Sequence, residues 1–150
     1  MKLIVKPASR EEVIWLSSRL RPEDQLEVKT ATGRSVEHAL LNAFHIAAEC
    51  YTVRFNDEPD PVALFGIAIG YPMVGVPWFL ATPEVTRGSI ALLREAPKWL
   101  KAWAQTYGGL HNIVDPRNDL HVRWLYDLGC RFGNHSVVIN EQPFIPFFYN

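Results

Sequence analysis

The tract from Asn112 to Phe132 constrains this chain more than any other. It reads as a short strand, a capped helix of about three turns, a glycine stop and another strand. Asn118 is placed to cap the helix, its side-chain oxygen accepting from free amides of the first turn. Leu120, Trp124 and Leu128 fall on one helical face with Leu125 beside them, so the helix has one side to bury. Gly129 supplies the left-handed residue that ends it.

The rest of the chain supplies a sheet for that unit to pack on. Leu3 to Lys6 reads as a first strand closed by Pro7. Ser9 and Glu12 form a capping box, opening a helix that carries Val13, Leu16 and Leu20 inward and ends near Arg21. Pro22 suits the first position of a second short helix, with Asp24 and Glu27 favoured by the dipole at its start, and Thr30 to Gly33 is a break. Ser35 caps a third helix with a wide stripe of Ala39, Leu40, Ala43, Phe44 and Ala47, and Cys50 falls at its end. Tyr51 to Phe55 and Val62 to Ile69 form a hairpin about the turn Asn56–Pro61, and the second is apolar enough for a central strand. Gly75 to Thr82 is a further strand. From Pro83 the spacing of Ile90, Leu93, Leu100, Ala104 and Tyr107 is helical, down to Gly108 and Gly109. Pro97 within it costs ~3 kcal/mol and predicts a kink, or two helices meeting near Glu95. Leu110 to Val114 is the next strand. Arg131 to Tyr149 reads as two strands split near Asn140–Pro143, with Pro146 marking an edge or a bulge. The order β-α-α-α-β-β-β-α-β-α-β-β predicts an α+β fold, a mixed sheet with helices on both faces.

Composition narrows the function classes. At 150 residues the chain reads as one domain able to bury a core. A net charge of −1 gives no domain-wide footprint for nucleic acid, and Arg117, Arg123 and Arg131 read as solvated surface. Two cysteines make no disulfide framework and read as reduced, buried thiols. The five histidines stand at no metal-ligand interval from either cysteine, so no metal site is expected. No stretch approaches the roughly 20 apolar residues of a membrane span, and the first apolar run is too short for a signal peptide. A soluble, intracellular protein is the expectation.

Asn118, Leu128 and Gly129 stand at the spacing of a known closing motif, Asn-x-x-Ala-x-x-Leu-Tyr-x-x-Leu-Gly-Phe. The tract therefore resembles the GNAT N-acetyltransferase superfamily, and the element order is the GNAT order. The resemblance implies that Val76–Thr82 and Leu110–Val114 run parallel and splay apart, with the pantetheine arm of acetyl-CoA in the gap. It further implies cofactor contacts from Phe79, Leu80, Ala81 and Thr82, with Asn118 also on the cofactor side. Arg87, Gly88 and Ser89 would hold the pyrophosphate at the next helix start. The chemistry implied is direct attack of an amine on the thioester, with Tyr126 or His111 handling protons and Asp115 as the nearest carboxylate. Several positions depart from the pattern. The pyrophosphate segment has one glycine in place of a spaced pair, and it carries Glu84. Leu125 occupies the position of the family's tyrosine, leaving Tyr126 about 100° around the helix. Cys130 replaces a phenylalanine, and neither splayed strand contains a carboxylate.

A narrower likeness runs along nearly the whole chain. Leu20-Arg21, Asp24, Glu27, Thr32-Gly33 and Ala39-Leu40 open it, Pro77-Trp78, Leu93-Arg94 and Trp99 continue it, and Asn112, Asp115, Asn118 and Trp124-Leu125 complete it. These landmarks resemble the GNAT-like internal virion or core proteins of short-tailed bacteriophages. That resemblance implies a phage origin, a place in the virion or the host cytoplasm, and other virion proteins or a host protein as partners. Two other readings stay open: a genuine acetyl-CoA-dependent N-acetyltransferase, and a purely structural assembly subunit whose gap is plugged by side chains. Arg21, Asp24 and Glu27 read as a helix-surface ion network of modest value, and of more interest if buried at the cleft. The tryptophans read as core or partner-facing anchors, and the aromatic tail as packed on the sheet or available for self-association.

Overall fold

The computed structural model describes every residue except Pro72. The chain forms β1 (Leu3–Pro7), α1 (Arg10–Ser17), α2 (Pro22–Thr32), α3 (Val36–Ile46), β2 (Glu49–Phe55), β3 (Ala63–Gly70) and β4 (Val74–Ala81). A 3-10 turn at Pro83–Gly88 leads into α4 (Ser89–Tyr107), followed by β5 (Leu110–Val114), α5 (Asp119–Asp127), β6 (Arg131–Phe132), β7 (Val137–Ile139) and β8 (Gln142–Tyr149). The strands lie in the order β1-β2-β3-β4-β5-β8-β6, with β7 beside β8. Among the described residues every pairing is antiparallel except β4 with β5. Among the described residues no helix is long and apolar enough to cross a membrane.

Alternation along the strands sorts two cores. Val53, Phe55, Ala63, Phe65, Ile67 and Ala81 face α4, where Leu92 and Trp103 are buried. Leu64 and Leu80, one residue out of phase, face α1 and α3 through Val13, Leu16, Val36 and Leu40. A third, smaller core joins Val114, Cys130 and Phe147 under α5. The mixed sheet with helices on both faces is thus as predicted.

Several local expectations are corrected. The Ser9–Glu12 capping box forms, but α1 stops at Ser17. Thr30–Gly33 is no break before Gly33, because α2 continues to Thr32 and ends on that left-handed glycine. Cys50 lies inside β2 and ends no helix. Pro97 does not divide α4, which runs unbroken from Ser89 to Tyr107. The final segment holds three strands, with Asn140 and Glu141 both at positive φ in the β7–β8 turn. Pro146 is not at an edge, since β8 pairs on both sides. Its carbonyl accepts from Gly133, so its missing N–H faces the interruption between β6 and β7, where no ladder bond is needed.

Candidate functional site

The parallel pair β4–β5 is in register at a single point, Gly75 opposite Leu110, and the sequence explains why it goes no further. Gly75 N–H donates to the Gly109 carbonyl at 3.0 Å. The next β4 residue turned toward β5 is Pro77, which has no N–H to donate. Its carbonyl accepts from Asn112 Nδ2 at 2.7 Å, and Asn112 Oδ1 accepts from the Ile113 N–H at 2.8 Å. A side-chain amide is therefore inserted where a parallel ladder would have a direct bond, and the strands are held apart.

At the far end of the opening the chain closes its own backbone groups from α2. Ala81 N–H donates to Asp24 Oδ2 at 2.9 Å, and the Ala81 carbonyl accepts from Arg21 N–H at 2.8 Å. Across the gap, Asp115 N–H donates to Glu27 Oε2 at 2.6 Å. Arg21 pairs with Asp24 at 3.1 Å, and Asn118 Nδ2 donates to both Asp24 (2.8 Å) and Glu27 (3.0 Å). Arg21, Asp24, Asn118 and Asp115 are all buried. The triad read as a surface ion network is instead a buried clamp across the splay, because splayed strands leave amides that must find acceptors. Asn118 is correspondingly corrected: it holds the N-cap position, but its side chain makes no cap bond and serves the clamp.

Between the Asn112 bridge and the α2 clamp, strand alternation turns the Phe79 peptide to the opening. There the structure holds a cavity of about 470 Å³, lined by residues of both strands and of α2, α4 and α5. Its walls are mostly aromatic and aliphatic, among them Phe79, Trp99, Trp124, Leu93 and Leu125. Phe79 sits edge-on to both His121 and Trp124, each 6.1 Å away. The gap is not plugged.

The other predicted site residues fall variously. Leu80 is in the ladder with Leu64, and Thr82 N–H donates to the Val62 carbonyl, so neither presents a free amide to the gap. Arg87 is half-exposed and bound to Glu84 at 2.6 Å and Glu58 at 2.7 Å, hydrogen bonds that push its pKa up. Gly88 is a packing glycine, since a Cβ there would run into the Phe55 ring. Ser89 Oγ donates to the Thr86 carbonyl. Tyr126 is 73% exposed and does not line the cavity; Trp124 and Leu125 do. His111 stacks on Phe148 at 5.2 Å, also outside the cavity wall. Burial raises the Asp115 pKa, but hydrogen bonds from the Arg117 side chain and backbone, with its charge, outweigh that and hold the carboxyl below its ordinary range.

His121 is the residue that sequence reading passed over. It lines the cavity with Asp24 Oδ1 3.4 Å from Nε2 and Glu27 Oε1 3.6 Å from Nδ1, yet Nε2 is buried without a hydrogen bond. Its spacing from Asn118 was visible, but nothing in sequence linked it to α2. Asp24, Glu27 and His121 are donors of metal-binding type and cluster closely. Both Asp24 oxygens are already taken, by Arg21, Asn118 and Ala81, and both Glu27 oxygens accept from Asn118 and Asp115. Glu49 anchors a second polar group, accepting from Tyr51 (2.7 Å) and Tyr107 (2.6 Å), bonds that lift both phenols to about 12.

No family model matches this chain, and no curated protein does. Solved structures do. AAC(6')-Ib in complex with ribostamycin and coenzyme A superposes with a TM-score of 0.73 at 11% identity, covering 100% of this chain and 94% of that one. A chimera of spermidine N-acetyltransferase SpeG from Vibrio cholerae and hSSAT gives 0.68 at 13% identity, covering 99% and 95%. A GNAT-family acetyltransferase from Bacillus anthracis gives 0.66 at 14%, covering 99% and 93%. The chain therefore has the GNAT acyltransferase fold over its full described length.

Proposed function

We propose that this is a bacteriophage GNAT-like protein whose acetyl-transfer apparatus is degenerate, acting through protein contacts in the virion or the infected host cell. The observation that carries this reading is the α2 clamp. Asp24 and Arg21 occupy the Ala81 peptide, and Glu27 occupies the Asp115 amide. A thioester arm lying between the strands would compete with buried, charge-assisted bonds for those groups. The expected pyrophosphate segment supports the same view. Arg87 stands between two carboxylates, so anionic phosphates would meet a locally acidic surface. Tyr126 is exposed outside the cavity wall, and among the described residues no tyrosine lines the gap. The phage assignment rests on the sequence landmarks described above.

A second reading, an active acetyl-CoA-dependent N-acetyltransferase, is favoured by one observation: the unplugged gap with the Phe79 peptide turned into it. The CoA-bound neighbour AAC(6')-Ib makes that cofactor the one to test. The same open gap weighs against a purely structural subunit. Calorimetric titration of the purified chain with acetyl-CoA and free CoA separates the readings. The degenerate reading expects no saturable heat at millimolar ligand, whereas micromolar binding, weakened in Arg87→Ala, would establish the cofactor site and overturn it.

A further inference from the structure

Ion pairing around the β4–β5 cavity leaves one carboxylate without a cation. Arg21 meets Asp24 at 3.1 Å, Arg117 meets Asp115 at 2.7 Å, and Lys98 meets Glu95 at 3.0 Å. Among the described residues Glu27 has no lysine or arginine partner, and none lines the cavity. Its oxygens accept from the Asp115 amide and the Asn118 side-chain amide, both neutral donors. A carboxylate has about four lone-pair sites, so these bonds do not saturate it. Arg117 lies within the field of Glu27, but its guanidinium is bound to Asp115 and Thr30. The Glu27 side chain is only 14% exposed, and a buried charge is costly until it is countered.

The wall beside that carboxylate is aromatic. His121 Nδ1 lies 3.6 Å from Glu27 Oε1, the His121 ring is 6.1 Å from Phe79, and Phe79 is 6.1 Å from Trp124. Aromatic faces attract cations. Other acceptors are scarce: Asn112 holds the Pro77 carbonyl, and Thr32 Oγ is engaged by the Val28 and Arg34 backbone. A primary ammonium has three N–H donors and would leave some unmet here. A fully alkylated nitrogen has none, and it meets ring faces with its methyl groups.

We propose that the cavity binds a quaternary ammonium on an apolar body, its charge beside Glu27 and its alkyl groups against Phe79 and Trp124. The cavity is half open, so the body enters with part of its surface still in solvent. An anionic head on the same body is repelled by Glu27, and an uncharged one gains nothing from it. A quaternary nitrogen has no lone pair to acylate, so the ligand is recognised and not modified. The assignment is therefore independent of whether acetyl transfer survives.

The intact chain is titrated calorimetrically at about pH 8, where an ordinary imidazole is neutral and offers Glu27 no charge. Octyltrimethylammonium, octylammonium, octanol and octanoate share one body and differ at the head. Octyltrimethylammonium is expected to saturate at one molecule per chain. Octanol and octylammonium should bind about fivefold more weakly, and octanoate at least about tenfold. Glu27→Gln removes the charge and keeps a carbonyl acceptor; it should weaken the quaternary ligand about tenfold and leave octanol unchanged. Trp124→Leu should weaken the quaternary ligand about threefold more than octanol. Any of the other three ligands binding as tightly as octyltrimethylammonium overturns the proposal. So does a quaternary titration that does not saturate, or full affinity in folded Glu27→Gln. If Glu27→Gln does not fold, an equal loss for octanol and the quaternary ligand in Trp124→Leu overturns it instead. CoA titration in parallel keeps the two readings apart, because CoA binding overturns the degenerate function while a failed ligand ranking overturns only the ligand class.

Discussion

Helices α2 and α4 border the same cavity from opposite faces of the sheet, and they are attached by different forces. α4 buries Leu92 and Trp103 and packs Trp99 and Leu100 against Phe65 and Tyr51. The only fully buried residue of α2 is Asp24, an acid. One helix is held by removing apolar surface from water, which is non-directional. The other is held by carboxylates gripping backbone amides, which works only while those carboxylates are held in place. The comparison identifies α2 as the conditional wall of the cavity and α4 as the permanent one.

The largest expected effect tests the apolar side. Trp103→Ala should cost about 3–5 kcal/mol in urea unfolding, because a large side chain leaves a void between α4 and Phe65. A loss below about 1 kcal/mol would mean that α4 is not the permanent wall. Asp24→Ala should cost about 3 kcal/mol, since Arg21 and the Ala81 amide lose their partner in a buried setting. Its distinguishing signature is amide exchange, faster at Ala81 and along α2 but unchanged at Phe65. Uniform acceleration across the sheet would show that α2 is no separate unit.

A smaller effect concerns acid. The folded pKa of Asp115 is depressed, so the native state binds fewer protons than the unfolded chain there. Its stabilising contribution is fully present above the ordinary aspartate range and is lost as pH falls from that range through the lower folded value. Arg117→Met should therefore shallow the acid limb of a pH–stability profile. It should not abolish that limb, since hydrogen bonds from Arg54 and Ser9, opposing burial, also hold Glu12 low. An unchanged acid limb would dissociate Asp115 from Arg117. The smallest effect is Arg87→Ala, whose melting temperature should match the parent because both its ion pairs are solvent-exposed. A clear fall would assign Arg87 itself a structural role that its exposed ion pairs do not show.

Much of the fold was legible because it is written in local chemistry. Ser9 with Glu12, Ser35 and Gly108 act within a few residues of themselves, and their helix ends fall where the cap chemistry puts them. Pro97 misled because a helix can tolerate the lost amide bond when Trp99 and Trp103, on either side of the next turn, are pinned to the sheet. Asn118 misled for the opposite reason: its local partner was available, but two carboxylates nearly a hundred residues earlier competed better. The splay itself had a readable signal in Pro77, a strand residue that cannot complete a parallel ladder.

By itself the sequence determined the element order as far as α5 and the two-sided sheet. Those follow from periodicity and caps, each a property of neighbours along the chain. Tertiary structure decided which groups meet across the gap. Asp24 and Glu27 reach Ala81, Asp115 and Asn118, His121 stands beside them, and Tyr126 is turned out to solvent. Those outcomes depend on where separate elements are brought together, and the unpaired amides of a splayed sheet accept whichever buried carboxylate the fold delivers.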